Sequence, residues 1–414
     1  MTIRWITPTL GTAPALQIRP EAGMAVIDVR DLVDKAGNRG DAVRRKIDEG
    51  CAALRDGKTA VVCCDYGISR SNAVAAGILA LHEAVPFEAA VRRVLEATGE
   101  KEIKVEPLQA VRRALGGGQP KTPAQGPRVL VTGGGGFLGV PVSRKLAETL
   151  PVAAPGRAAL DLRQGSTQLD LLAGEEEIDC IVHLANPRVY TSNVALGDTL
   201  TMLRNVLDVC VARDLRLIYL SSWEVYSGYR STCLLADESL PLLPKGPYAE
   251  TKYLCEMLIG HSRRTQGLRC ALLRSSPVYG AGSDKPKFIY NFIDKVRQSR
   301  RIVTHRYNNG LPALDLLHVD DLVAAVSLAV ERDFSGDLNI GTGVATSTLK
   351  IAEMLRDMLG GRGEIDSALI DSDTAGIAMD SGKARQALGW RPATGLEQGL
   401  RLILPNPGAA MASA

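Results

Sequence analysis

At 414 residues, with 45% hydrophobic and 23% charged residues, the chain has material for two to three domains with sizeable cores. A net charge of +3 over this length gives no electrostatic case for nucleic acid or an anionic membrane as partner. The N-terminal MTIRWITPTLGTAP has no apolar signal core, and no run of about 20 apolar residues occurs, so a cytoplasmic protein is expected. The eight cysteines lack metal-ligand spacing, which predicts a reduced protein with no metal centre.

In chain order, MAVIDV (24–29) suits a strand, DAVRRKIDEGCAAL (41–54) an amphipathic helix and TAVVCC (59–64) a buried strand. The polar, glycine-containing DYGISRS follows, then two helical patterns, SNAVAAGILALHEA and PFEAAVRRVLEATG. GGGQPKTPAQGP (116–127) has no apolar periodicity and reads as a linker. Beyond it RVLVTG, a helix from 139, CIVHLA, a helix near 201–213 and LRLIYLSS alternate, which predicts a parallel sheet with helices on both faces. The more mixed remainder is expected to form a small substrate lobe, and PNPGAAMASA (405–414) a disordered tail.

The first candidate site is Cys64 to Arg70. A loop between a strand and a helix N-terminus converges backbone N–H groups on one point, and the helix dipole adds positive potential. That environment favours a Cys64 thiolate, while the planar fork of Arg70 suits two phosphate oxygens. Ser71 is placed to hydrogen-bond the sulfur and help it leave a phosphocysteine. CDYGISRS resembles the phosphate-binding loop of dual-specificity and related cysteine phosphatases, and WITPTLG, VIDVRD and PFEAAVRRVLEATG resemble further parts of that family's fold over 1–115. The resemblance implies an aspartic general acid upstream, for which Asp31 or Asp34 is at a fitting distance. Cys63 stands where the family usually has His.

The second site begins at Gly133-x-x-Gly136-x-x-Gly139, directly after a strand and opening a helix. Glycines there allow the tight turn, close approach to a pyrophosphate and close helix–sheet packing. Ser222 ends LRLIYLSS, and Tyr248 and Lys252, four apart, share one helical face. Lys252 favours ionisation of Tyr248, Tyr248 takes a hydroxyl proton as hydride leaves the same carbon, and Ser222 orients that hydroxyl.

This arrangement resembles the extended short-chain dehydrogenase/reductase family, specifically the NAD-dependent nucleotide-sugar epimerases and dehydratases, over 128–404. PYAETK, RSSPVYGAG, LDLLHVDDLVAA, LNIGTG and MDSGKARQALGWRP resemble its landmarks in order. The expected fold is α/β: a cysteine-phosphatase-like domain, then a Rossmann-type doubly wound parallel sheet with a small C-terminal lobe. The resemblance carries a cofactor role onto Gly133, Gly136, Phe137, Leu138, Gly139, Asp170 (toward adenine), Leu171, Ala185, Tyr248 and Lys252. It also implies a homodimer. Arg157 is placed to meet a 2′-phosphate, so NADP stays open beside the slightly favoured NAD.

Glu224 falls where sugar 4,6-dehydratases carry a base, but Trp223 occupies the place of their acid and cannot protonate a leaving hydroxyl. Epimerisation or another transient oxidation is therefore preferred. Pro277 and Leu314 replace the Asn and Arg that usually hold the substrate diphosphate, while Lys285, Lys287, Arg301 and Arg306 offer charge nearby in sequence. The substrate is expected to be a sugar nucleotide or a smaller sugar or cyclitol phosphate, in a bifunctional enzyme that also hydrolyses a phosphate monoester at Cys64. Two alternatives are an NAD(P)-sensing regulatory protein with a phosphate-binding pseudophosphatase domain, and a protein phosphatase with the second domain as scaffold.

Overall fold

The computed structural model describes residues 3–116, 126–187, 192–283 and 286–404. Most of the expected linker (117–125), the tail (405–414) and Lys285 lie outside the described residues. The chain divides into two compact units that do not follow a single cut. One comprises residues 1–128 together with 157–179 and 201–215, and the other comprises 129–156, 180–200 and everything from 216 onward.

The first unit starts with β1 (Arg4–Trp5), β2 (Leu10–Pro14), β3 (Met24–Asp28), α1 (Gly40–Arg55), β4 (Thr59–Cys64), α2 (Arg70–Glu83), α3 (Phe87–Thr98) and α4 (Val105–Ala114). Its sheet runs β1-β2-β4-β3, with β2 and β3 parallel to the central β4 and β1 antiparallel to β2. β4 is TAVVCC, an unbroken apolar run suited to a strand buried on both faces. α2 is buried from Ser71 through Ala80, so its small residues permit close packing all round. It stops at Ala84 in the left-handed region, just before Pro86.

The rest of the chain supplies β5 (Val129–Thr132), α5 (Gly139–Leu146), β6 (Val152–Ala153), α6 (Thr167–Glu175), β7 (Cys180–His183), α7 (Asn193–Arg213), β8 (Arg216–Ser222), β9 (Leu234–Ala236), α8 (Pro247–Gln266), β10 (Cys270–Ser275) and β11 (Val278–Tyr279). There follow α9 (Lys287–Arg297), β12 (Ile302–Tyr307), β13 (Ala313–Asp315), β14 (Leu317–His318), α10 (Val319–Glu331), β15 (Gly336–Ile340), β16 (Ala345–Ser347) and α11 (Thr348–Met358). The last elements are β17 (Ile365–Ile370), β18 (Gly376–Met379), α12 (Gly382–Leu388) and α13 (Leu396–Ile403). α6 and the second half of α7 belong to the first unit: Leu171 is buried in the core shared by β4, α2, α3 and α4.

The second unit is built on a six-stranded parallel sheet, β15-β10-β8-β7-β5-β6. The direction of winding reverses between β5 and β7, so the loops after β5, β7 and β8 leave one edge at a topological switch point. Trp390, buried in this core, donates from Nε1 to the Asp321 carbonyl at 2.9 Å, while the Asp321 carboxylate accepts from the N–H groups of Ala393 and Thr394. Two sequence landmarks, HVDD and LGWRP, are thus locked together. Smaller sheets β11-β14, β12-β17 and β16-β13-β18-β9 form the remaining lobe. Among the described residues no helix is long and apolar enough to cross a membrane.

Candidate functional sites

In the first unit, the loop after β4 wraps around the Cys64 sulfur. Gly67 N–H donates to it at 3.2 Å, and the Ser71 hydroxyl lies 3.4 Å away. Burial opposes a thiolate here, but the Ser71 side chain and the N–H groups of Ser71, Ile68 and Gly67 outweigh it and hold the Cys64 pKa below the ordinary thiol value. The neighbouring Cys63 lies on the opposite face of the strand, where burial pushes its pKa up to about 11. Gly67 takes φ +67°, and a Cβ there would sit 2.6 Å from the backbone of Ala13 and Pro14. Arg4 donates to the Gly67 carbonyl from β1, pinning the turn from outside.

Arg70 opens α2 with its guanidinium mostly buried. Nη1 donates to the carbonyls of Leu32 and Arg30 at 2.8 and 3.3 Å, and Nη2 to Asp65 at 2.5 Å. Of the two candidate acids, Asp34 is 3.7 Å from Arg70 Nε. The Asp31 carboxylate pairs with Lys46 at 3.4 Å, while Arg30 and Leu32 on either side of it both accept from Arg70. The structure therefore links Cys64 to Ser71 and Arg70 to Asp34, and the Asp31 carboxylate faces Lys46.

Three residues expected to serve the cofactor sit in the first unit. Asp170 cannot offer a carboxylate to adenine: it is fully buried, with Arg213 at 2.6 Å and Arg112 at 3.0 Å. Glu88 completes that cluster, and Leu171 is committed to the hydrophobic core. Both side chains are engaged for the same reason: α6 packs its inward face against α3 and α4. Arg157 is exposed and lies 3.5 Å from Asp161, the N-cap of the 3₁₀ turn that follows.

In the second unit the glycine loop links β5 to α5. Gly133 takes φ +72°, and a Cβ there would lie 2.8 Å from the Ala185 backbone after β7. A Cβ at Gly139 would run into the Gly133 carbonyl, whereas one at Gly135 would meet nothing within 4 Å. The loop is thus compact on its protein side and open on the other. Phe137 and Leu138 pack onto the sheet core as partly buried anchors.

Ser222 ends β8 and is buried; its Oγ accepts from the Glu224 N–H at 3.2 Å, which leaves its proton for another acceptor. Lys252 is buried on α8. Its Nζ donates to the Leu220 carbonyl at 2.9 Å and to Tyr219 Oη at 3.3 Å, and lies 5.9 Å from the Tyr248 ring centre. Burial lowers its pKa, partly offset by Cys255, Glu256 and Glu224. Burial raises the pKa of Glu224, and the charge of Lys252 opposes that. Trp223 packs partly buried beside Val225 and Tyr226. Four side chains with proton-transfer capability, Ser222, Glu224, Tyr248 and Lys252, thus share one edge of the sheet.

Tyr219 and Glu256 were not expected to matter. Tyr219 and Ser221 share a strand face and meet Lys252 and Glu256, one helical turn apart, on α8. Glu256 continues the four-residue spacing of Tyr248 and Lys252, a signal that was available in the sequence.

The chain belongs to the NAD dependent epimerase/dehydratase family, whose model matches residues 129–341. NAD is accordingly its cofactor, and the open glycine loop with the buried lysine fits that group. A putative UDP-glucose 4-epimerase of Methanocaldococcus jannaschii is 28% identical over 306 residues, 67% of this chain and 97% of the relative. A dTDP-D-glucose 4,6-dehydratase of Bos taurus is 27% identical, covering 66% of this chain and 86% of its own. The fold matches that of the UDP-glucose 4-epimerase of Thermus thermophilus, solved with NAD, at a TM-score of 0.59 and 24% identity over 66% of this chain and 97% of that one. MoeE5, solved with UDP-glucuronic acid and NAD, matches at 0.55 and 26% identity over 67% and 97%.

Proposed function

We propose a bifunctional enzyme that transiently oxidises a sugar carbon at the second unit and hydrolyses a phosphate monoester at Cys64. The observation that carries the first activity is the sheet-edge set of Ser222, Tyr248 and Lys252. NAD, when bound, supplies the hydride acceptor. Tyr248 takes the proton from the substrate hydroxyl, Ser222 holds that hydroxyl, and the Lys252 ammonium stabilises the tyrosinate. Glu224, whose carboxyl burial keeps more basic than usual, is available for a second proton next to the reacting carbon. Trp223 between them favours epimerisation over the elimination of water.

Relatives named as UDP-glucose epimerases and dTDP-glucose dehydratases support a nucleotide sugar. Pro277 and Leu314, with no donating side chain, and Arg301, held by Asp366 at 2.5 Å, favour a smaller phosphorylated sugar or cyclitol. That choice also suits the first unit. There the Cys64 thiolate attacks phosphorus, the ester P–O bond breaks, and Asp34 gives its proton to the leaving alkoxide. Water then hydrolyses the phosphocysteine to inorganic phosphate and thiol. What supports this second activity is the stabilised Cys64 sulfur beside the pinned Arg70.

The test is phosphate release from a panel of sugar, cyclitol and nucleotide-sugar phosphates, with and without NAD. Wild type, Cys64→Ser and Tyr248→Phe are compared. Release lost in Cys64→Ser, and dependent on Tyr248 and NAD for one compound, is the expected result. Cofactor-linked turnover without any phosphate release would leave only the epimerase activity.

A further inference from the structure

Arg70 is the cation that an oxyanion in the Cys64 loop must reach, yet one arm of its fork is already occupied by a carboxylate of that loop. The outer nitrogen, Nη1, is fixed on the Leu32 and Arg30 carbonyls. The side fork that remains, Nε with Nη2, is the bidentate edge a phosphate takes. Nη2 donates to Asp65 Oδ2 at 2.5 Å, and Asp65 is the residue immediately after Cys64. Nε faces Asp34 Oδ1 at 3.7 Å, too long for a hydrogen bond, and both atoms are buried without a hydrogen-bond partner among the described residues. One half of the fork is therefore filled by a carboxylate and the other half is unmet.

We propose that Asp65 is a built-in competitor for the oxyanion seat on Arg70, so that it sets how tightly, and with which charge state, the loop accepts its ligand. The inference rests on the reading of this loop as an oxyanion site. Arg70 is only 12% exposed and held by two carbonyls, so it cannot swing away; Asp65, 54% exposed, can. Entry of a phosphate oxygen at Nη2 breaks the Asp65 ion pair and turns Asp65 outward to water. A dianion also meets the nearby charge of Asp65 more severely than a monoanion does. The same carboxylate holds the guanidinium in register while the loop is empty, which keeps the site preorganised. Asp65 is thus a specificity-determining residue, and removing its charge tightens the loop's grip on dianions.

Tungstate, an inert dianion of phosphate shape, is titrated calorimetrically into the full-length protein. Asp65→Asn is expected to bind about five- to ten-fold more tightly than wild type, the scale of one partly exposed ion pair plus like-charge relief. In an Arg70→Met background binding is expected to be lost with or without Asp65. Equal or weaker binding by Asp65→Asn would overturn the competitor role and leave the oxyanion site standing. The same gain appearing without Arg70 would also overturn it, because Asp65 would then act only through its field. Absence of tungstate binding in wild type and Asp65→Asn alike, with Arg70 present, would instead bring down the oxyanion reading itself.

Discussion

Two adjacent cysteines on one strand are made chemically opposite by which face each side chain leaves. Cys64 enters the nest of N–H groups before α2, and hydrogen bonds to its sulfur hold the thiol below its usual pKa despite burial. Cys63 is governed first by desolvation, reinforced by the Asp28 charge, and its pKa rises to about 11. A thiol with a lowered pKa reaches half its maximal reactivity at lower pH, because the thiolate is the nucleophile. Iodoacetamide labelling followed by peptide mass spectrometry should therefore modify Cys64 at a lower pH than an ordinary thiol, and leave Cys63 untouched. Ser71→Ala, which removes the hydroxyl 3.4 Å from the sulfur, should move the Cys64 midpoint upward. A midpoint unchanged by that substitution would deny Ser71 its part. At the other site, the buried Lys252 ammonium commits two donors to Leu220 and Tyr219. Lys252→Met should weaken NAD binding about ten-fold in calorimetry, the loss of one charge-assisted bond. Affinity equal to wild type would remove Lys252 from the cofactor site.

At the scale of elements, what the sequence made legible was whatever repeats with a short period. Apolar runs such as VLVT, CIVH and RLIYLSS announced buried parallel strands, and the glycine spacing after the first announced its loop. The polar interior was not legible, because its partners come from distant segments. Arg274 on β10 and Glu256 on α8 form a buried pair at 2.8 Å, extended by Ser221 on β8 and Tyr226. This network ties α8, which carries Tyr248 and Lys252, to β8, which carries Ser222. The side chains are only 5% and 6% exposed, so removing one charge strands the other in a low-dielectric interior. Glu256→Ala should cost about 3–5 kcal/mol, read from the urea midpoint of the second unit's transition. A loss under about 1 kcal/mol would mean that water reaches the pair, as for an exposed one.

At the scale of the whole molecule, two modules separated by a glycine- and proline-rich stretch suggested two folding bodies joined in series. The compact units cut the chain differently, since 157–179 and 201–215 pack with the N-terminal module. No local pattern could reveal that: TQLDLLAGE is an ordinary helix, and Asp170 reads as a cofactor residue until Arg112 and Arg213 are seen on it. The seam is a folded interior rather than a surface contact. Leu171 is fully buried in the core, Ile103 exchanges two hydrogen bonds with Thr167 at 2.9 Å, and Arg92 pairs with Glu175. α6 therefore depends on residues that precede position 115, although it lies inside the stretch that matches the epimerase family. A chain beginning at residue 126 would expose Leu171 and leave Asp170 with Arg213 as its remaining strong partner. Hydrogen exchange across 157–179 should rise in such a chain to the level of a fraying segment, while the strands β7, β8 and β10 stay protected. In the intact protein, Leu171→Ala should destabilise the first unit by about 2–5 kcal/mol, the cost of a cavity in a packed core. Unchanged exchange in the shortened chain would mean that α6 is held without the N-terminal module, and the two modules would then be separable after all.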